Sequence, residues 1–258
     1  MKIKRILVCD GTIDGIFTAI YRAYDMRYGH ENIKITEESK EGSFQDMELF
    51  SEYHSIETDY EISAKVASSI KEKISYEAYE HIVRAALSSA NGRSDIIYRF
   101  VILGFHIGKN ITSYLGNDVV DQIFRLNRYV GSETHRMLEF LRFKEVGDGI
   151  LLAIVKPVNN VVALIAPHFA DRLNNENFII FDEGREIAAI HAKNSEIIMT
   201  DMKEDVIGEL NRRKSEEEDY ESLWKSFFHS ISIKERENYK LQRNMLPLRY
   251  RSNMTEFQ

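Results

Sequence analysis

The spacing of apolar residues changes period near residue 140, and that change constrains the fold more than any other feature of the chain. Before it, apolar positions recur every three to four residues. After it they come in short runs of strand length, separated by Gly-Asp-Gly and Pro-Val-Asn-Asn turns. Helical patterns followed by closely spaced strands imply an α+β protein, with a mainly antiparallel sheet over about 140–200 and flanking helices. Strands are expected at 141–146, 150–155, 161–165, 178–181, 186–191 and 196–200, with one helical turn at 167–173. The segment from 216 reads helical to about 244.

The chain opens as strand, turn and helix. Residues 3–9 form an apolar run, Asp10-Gly-Thr-Ile-Asp14-Gly15 is turn chemistry, and 16–28 carries apolar residues at helical spacing. Thr12 or Asp14 is placed to cap that helix. A short strand at 33–35 and a polar loop over 37–47 follow. Thr58-x-x-Glu61 fits a capping box, and helices are expected at 76–89 and 94–107. Another follows Asn117, running past Gly131 to Leu138. Only three prolines occur and no linker separates the parts. One compact domain over 1–258 is therefore expected, with a helical C-terminal segment over 216–258.

The turn after the first strand lacks the marks of several known sites. A phosphate loop needs Gly-Lys-Ser/Thr before the helix. A dehalogenase-like nucleophile needs an Asp where Val8 stands, and a calcium loop needs alternating acids. What remains is a plain capped turn, or an anion contact at the helix N-terminus.

Composition excludes further classes. The formal net charge is −7, which argues against a whole-surface nucleic-acid binder but leaves room for a local basic site. The single Cys9 supports neither an intrachain disulfide, nor a zinc cluster, nor a cysteine-ligated iron–sulfur cluster. The histidines never fall at zinc-ligand spacing, and no Gly-x-Ser-x-Gly elbow occurs. No metal or cofactor is expected. No run approaches ~18 apolar residues and no signal peptide heads the chain, so a soluble cytoplasmic protein without membrane contact is expected.

Three polar signatures remain, each setting His or Arg among apolar residues. That arrangement is costly unless the polar heads are paired, solvated or used on a ligand. The first is Glu133-Thr-His135-Arg136-Met137, running into Phe140-Leu-Arg142-Phe143. His135 and Glu139 share a helix face. Arg136 and Arg142 are candidate phosphate clamps, since guanidinium forks hold phosphate oxygens bidentately; a solvated ion-paired face is the alternative. The second is Ala166-Pro-His168-Phe169-Ala-Asp171-Arg172 with Asp182-Glu-Gly-Arg185 beyond it. His168 and Arg172 would share a face and bind nucleic acid. His168, Asp171, Asp182 and Arg185 are equally candidates for an acid–base centre or for a salt-bridged cluster fixing the helical turn. Arg142 and His168 are expected to approach on one face, with Arg136, Arg172 and Arg185 nearby.

The third signature lies in the C-terminal segment. Residues 201–221 carry nine acidic against four basic side chains, and 222–258 carry seven basic against three acidic. Arg236, Arg243 and Arg249, interleaved with Tyr239 and Tyr250, suit a surface that tracks phosphates and stacks bases. Trp224, Phe227, Phe228 and Ile231 read as the core side of an amphipathic helix.

Taken in order from Cys9-Asp10-Gly11-Thr12 to Leu246-Pro247-Leu-Arg249-Tyr250, these motifs resemble a family of bacterial DNA metabolism proteins. Its members typically neighbour, in genomes, a DNA modification or repair protein of the radical S-adenosylmethionine class. Related domains also look fused in front of uracil-DNA-glycosylase-type domains. The resemblance covers nearly the whole chain and departs at its end, where Arg251 replaces a Trp. It implies an accessory protein in DNA repair or modification that binds DNA and acts with a radical S-adenosylmethionine partner. Two alternatives stay open: a DNA-acting enzyme of glycosylase or hydrolase type, and a protein-interaction module that docks a basic partner through 201–221. Whether the chain is itself an enzyme is left undecided by these residues.

Overall fold

Strand β1, Lys4–Cys9, buries Ile6, Leu7 and Cys9 almost completely, as a central parallel strand must. The computed structural model describes residues 3–38, 48–212, 218–231, 233, 237–254 and 257. The chain divides into two compact units, Met1–Gly131 and Ser132–Gln258.

In the first unit β1 pairs in parallel with β2, Ile33–Glu37, and with β3, Ser51–Ser55, in the order β2-β1-β3. Helix α1, Ile13–Asp25, is the crossover from β1 to β2. Thr12 caps α1 by accepting from Gly15 N. Strand β3 is a polar Ser-Glu-Tyr-His-Ser run that the sequence pattern does not reveal. Most of the expected loop over 37–47 lies outside the described residues. Helices α2 (Tyr60–Lys73), α3 (Tyr76–Ala86) and α4 (Arg93–Ile107) pack Ile70, Ile82, Ile97 and Phe100 into one core with Phe17 and Ile35. Asp59, not Thr58, caps α2; Thr58 is engaged with Asp10 instead.

Helix α5, Asp118–Phe140, starts in the first unit and ends in the second. Asn117 accepts from Val119 N at its start. It runs uninterrupted through Gly131, as the apolar spacing predicts.

The second unit holds a five-stranded sheet of β4 (Lys144–Glu145), β5 (Ile150–Val155), β6 (Asn177–Asp182), β7 (Ile187–His191) and β8 (Ile197–Asp201), in that spatial order. The sheet is mixed, not mainly antiparallel: β5 and β6 run parallel, with Ala153 opposite Ile180. The reason lies at Val161–Ile165, which is not a strand but the start of helix α6, Val162–Arg172, with Pro167 inside it. Parallel neighbours require such a crossover. The expected strand over 141–146 shrinks to β4, so Arg142 lies before the strand rather than within it.

Leu152, Ile179, Phe181 and Ala188 pack with Ile207 of α7, Glu204–Arg212. Phe178, Ile180 and Asp182 alternate with Ile179 and Phe181 along β6, so they take the other face of the sheet. Beyond lie α8 (Glu218–Ser230) and α9 (Tyr239–Met245), which make up the helical C-terminal segment together with a 3-10 turn at Leu248–Asn253. Among the described residues no helix is long and apolar enough to cross a membrane.

Candidate nucleic-acid interface

Some of the polar residues of the three signatures gather in two places of the second unit. The first is the turn Pro157-Val-Asn-Asn160 that leaves β5 and leads into α6. Glu133, on α5 and 2% exposed, reaches this turn. Its Oε1 accepts from Val158 N at 3.0 Å, and its Oε2 accepts from Asn159 N and Asn159 Nδ2, each at 2.7 Å. From the other side Arg185 donates through Nη1 to Pro157 O at 3.1 Å and through Nη2 to Val158 O. Arg185 Nη1 also meets Asp182 Oδ2 at 2.8 Å. Asp182 is fully buried, and its Oδ1 accepts from Gly184 N and Arg185 N. One carboxylate, Glu133, and one guanidinium, Arg185, thus serve the peptide groups of this turn, while Asp182 holds that guanidinium and the peptide N–H groups after β6; such pairing is how a buried charge is tolerated.

Tyr250 seals the same neighbourhood. Its ring is buried, 5.9 Å from the ring of Phe140, with the guanidinium of Arg249 4.7 Å and that of Arg136 5.8 Å from its centroid. Its hydroxyl accepts from Arg249 Nη2 at 2.6 Å. Burial, then the Glu133 carboxylate, push the phenol's pKa above its ordinary value, against the opposing pull of Arg249. Arg249 lies 4.0 Å from Glu133 and is half exposed.

The second place is a cleft of about 460 Å³, lined by Glu139, Arg142, Phe143, Phe169, Arg172 and Trp224 with leucines between. Arg142 Nη1 donates to Glu139 O and Leu141 O, closing the C-terminal end of α5. Arg172 ends α6 and is exposed; among the described residues it makes no hydrogen bond or ion pair. Phe143 stands edge-on to Phe169 at 5.2 Å and to Phe178 at 5.6 Å. This wall has two cationic forks, three rings and one carboxylate-bearing residue. It can take an anion and a flat apolar surface together.

The predicted cluster of Arg142 and His168 with Arg136, Arg172 and Arg185 therefore separates. Arg142 and Arg172 share the cleft. His168 and Asp171 are exposed on α6, and among the described residues His168 makes no hydrogen bond or ion pair. Arg185 is consumed by the turn and by Asp182, and Arg136 packs over Tyr250. His135 and Glu139 do pair, at 3.2 Å. Arg243 is exposed on α9, and Arg236 lies outside the described residues. Arg251, in place of the Trp, donates to Gln242 Oε1 at 3.1 Å and covers the ring of Phe257. Trp224, Phe227 and Ile231 are not core: they are 43%, 52% and 58% exposed. Sequence reasoning missed Asn159, which supplies two of the three donors to the Glu133 carboxylate, and the rings of Phe143 and Phe169 as cleft walls. The Asn-Asn pair in a turn was the available signal for the first.

In the first unit the Asp10 turn closes on itself. Asp10 Oδ1 accepts from Thr12 N and Thr12 Oγ1, and Oδ2 accepts from Thr58 Oγ1 at 2.7 Å. Arg93 Nη2 donates to Gly11 O, which has φ +77°. Burial works against the Asp10 charge, but the Thr12 and Thr58 hydroxyls outweigh it and hold its pKa below the usual carboxylate range. The neighbouring Cys9 thiol is pushed up to about 11 by burial. Among the described residues no three His, Cys, Asp or Glu side chains gather to hold a metal ion.

A search of curated proteins returned no match to the chain. A family model does match, over residues 91–256, and its description is a domain of unknown function, DUF4130. That span contains every residue of the turn at 157–160 and of the cleft, and it exceeds half of the chain. The chain belongs to the DUF4130 family.

Proposed function

We propose that the protein is a nucleic-acid-binding accessory factor in DNA repair or modification, with its second unit making the contact. The observation that carries the binding is the cleft, where two guanidinium groups and three aromatic rings line one concavity. Arginine forks grip phosphate oxygens, and rings stack on bases without regard to sequence. A net charge of −7 fits contact confined to one place rather than spread over the surface. The DNA pathway, the cytoplasmic setting and a radical S-adenosylmethionine partner that performs the chemistry rest on the resemblance of the motifs alone. The alternative, a glycosylase-type activity, needs a carboxylate within one water of His168, whose ring makes no hydrogen bond or ion pair among the described residues.

Binding of a short labelled single strand, followed by fluorescence anisotropy across a salt series, tests it. The affinity should fall with salt on a log–log slope of about −0.7 per phosphate contacted. Replacing Arg142 and Arg172 together by Ala should make that slope shallower by roughly 0.7 for each phosphate no longer held. An unchanged slope would remove the cleft from the binding surface, and no binding at all would end the nucleic-acid reading.

A further inference from the structure

We infer that a groove between α1 and α2 in the first unit binds a small organic acid, one with an apolar body and a carboxylate head. The site is independent of the nucleic-acid reading of the second unit. The groove has a volume of about 300 Å³, at the lower end of the ~300–1,000 Å³ of clefts that hold small ligands. Its apolar lining is Ile20 of α1 and Val66 of α2, both buried, with the half-buried Phe105 of α4. Tyr21 and Tyr24 line it as well. Tyr24 is set in place by two edge-on rings, His30 at 4.6 Å and Phe105 at 6.0 Å. His30 is in turn tied through Nδ1 to the Tyr98 hydroxyl at 2.7 Å. The apolar wall is thus built by the protein's own contacts, as ligand pockets usually are.

The polar groups of the lining select the head. Lys65 and Lys73 both line the groove from α2. They are eight residues apart, about 12 Å along the helix, with Val66 and Ser69 between them. Among the described residues neither makes a hydrogen bond or ion pair, although Glu61 stands one turn before Lys65. Lys71 of the same helix differs: it lies over the ring of Tyr79 at 4.0 Å. Lysine offers donors only, and the hydroxyls of Tyr21, Tyr24 and Ser69 donate as well; no carboxylate or amide side chain is among the lining residues. A cation would meet two like charges there, and a neutral ligand would leave both uncompensated. A polyanion would use the lysines and leave the apolar lining unfilled. A protein partner needs about 800 Å² of surface on its side of a stable interface, far more than these few side chains offer. A small acid with an apolar body satisfies both halves of the lining.

Isothermal titration calorimetry of the full-length protein tests this with three ligands that share one body and differ in the head: 4-phenylbutyrate, 4-phenylbutan-1-ol and 4-phenylbutylamine. Acetate supplies the head without the body. The butyrate should bind saturably. The alcohol should bind about fivefold more weakly, the upper range of what one exposed ion pair supplies, and the amine more weakly again. Acetate, lacking the buried body, should be at least about tenfold weaker. Lys65→Glu with Lys73→Glu, both at exposed positions, should reverse the order, so that the amine binds more tightly than the acid; lysines that merely support the helix would not do this. Lys65→Gln with Lys73→Gln should abolish the preference for the acid. Lys71→Ala should leave the affinities unchanged. Equal binding of acid and alcohol would overturn the inference in favour of a plain apolar groove, and equal binding of acetate in favour of a plain anion contact. A preference for the acid that persists in both double variants would place the site elsewhere, and no binding of any ligand would end it. A synthetic glutamate–leucine helix that binds through the two lysines when 4-phenylbutyrate does not would replace the small acid by a protein segment. A dimer of the protein that both double variants dissolve would replace it by a second copy. Binding of a short single strand should be the same in the double variants and the unmutated protein, so the nucleic-acid reading stands or falls separately. A fall in strand binding there would assign the lysines to nucleic acid and overturn the inference.

Discussion

Glu133 shows how one residue can look functional in sequence and serve the scaffold in the structure. It is almost fully buried, and its carboxylate accepts from three donors of the turn at 157–160. Glu133→Ala would strand those donors and should cost about 1–3 kcal/mol in urea unfolding. Glu133→Gln should also destabilise, because an amide NH2 would face N–H groups. Asp10 allows a sharper test through pH. Its folded pKa lies below its unfolded value, so its contribution is complete above ~4 and is lost as pH falls through the lower folded value. The unfolding midpoint of Asp10→Asn should therefore trail the unmutated protein at pH 7 and converge with it in acid. A gap that persists unchanged in acid would contradict the assignment. The roles of Glu133 and Asp182 were not legible in the sequence, because their partners are backbone N–H groups and a guanidinium brought in by β6 and by the turn. Residue type says that a carboxylate needs partners; only the fold says which.

At the scale of elements, long periodic segments were legible and short apolar runs were not. Helix α5 followed from its spacing, its Asn117 cap and the tolerance of a helix for one Gly. Val161–Ile165 did not, because five consecutive apolar residues have no period and a buried helix and a buried strand then read alike. The outcome matters beyond that segment. A helix there turns the β5–β6 pairing parallel and puts Phe169 and Arg172 on the cleft. Strand β3 was invisible for the opposite reason, being short, polar and largely exposed. Two glycines test the packing of these elements. Gly131 lies inside α5 with open space where an alanine methyl would sit, so Gly131→Ala should raise stability by about 0.5–1 kcal/mol. A methyl on Gly15 would run into the Asp10 carboxylate. Gly15→Ala should cost about 1–3 kcal/mol through the displaced turn, which thermal unfolding of the two variants would reveal as shifts of opposite sign.

At the scale of the whole molecule, the acidic balance conceals a local cationic cleft. The sequence marks both arginines of that cleft, because each is a charged residue among apolar ones. It does not mark their separation from His168 and Arg185. Nor does it reveal that Trp224 is exposed, since a Trp-Lys-Ser-Phe-Phe run on a helix reads as core until its surroundings are known. Nucleic acid should lie in that cleft, and photo-crosslinking tests this most directly. A single strand carrying a 5-iodo-2′-deoxyuridine is irradiated with the full-length protein, and the adduct is mapped by mass spectrometry. The adduct is predicted on Trp224, Phe143 or Phe169, and it should fall away with Arg142→Ala and Arg172→Ala together. Adducts confined to the first unit, or undiminished in that double variant, would contradict the account.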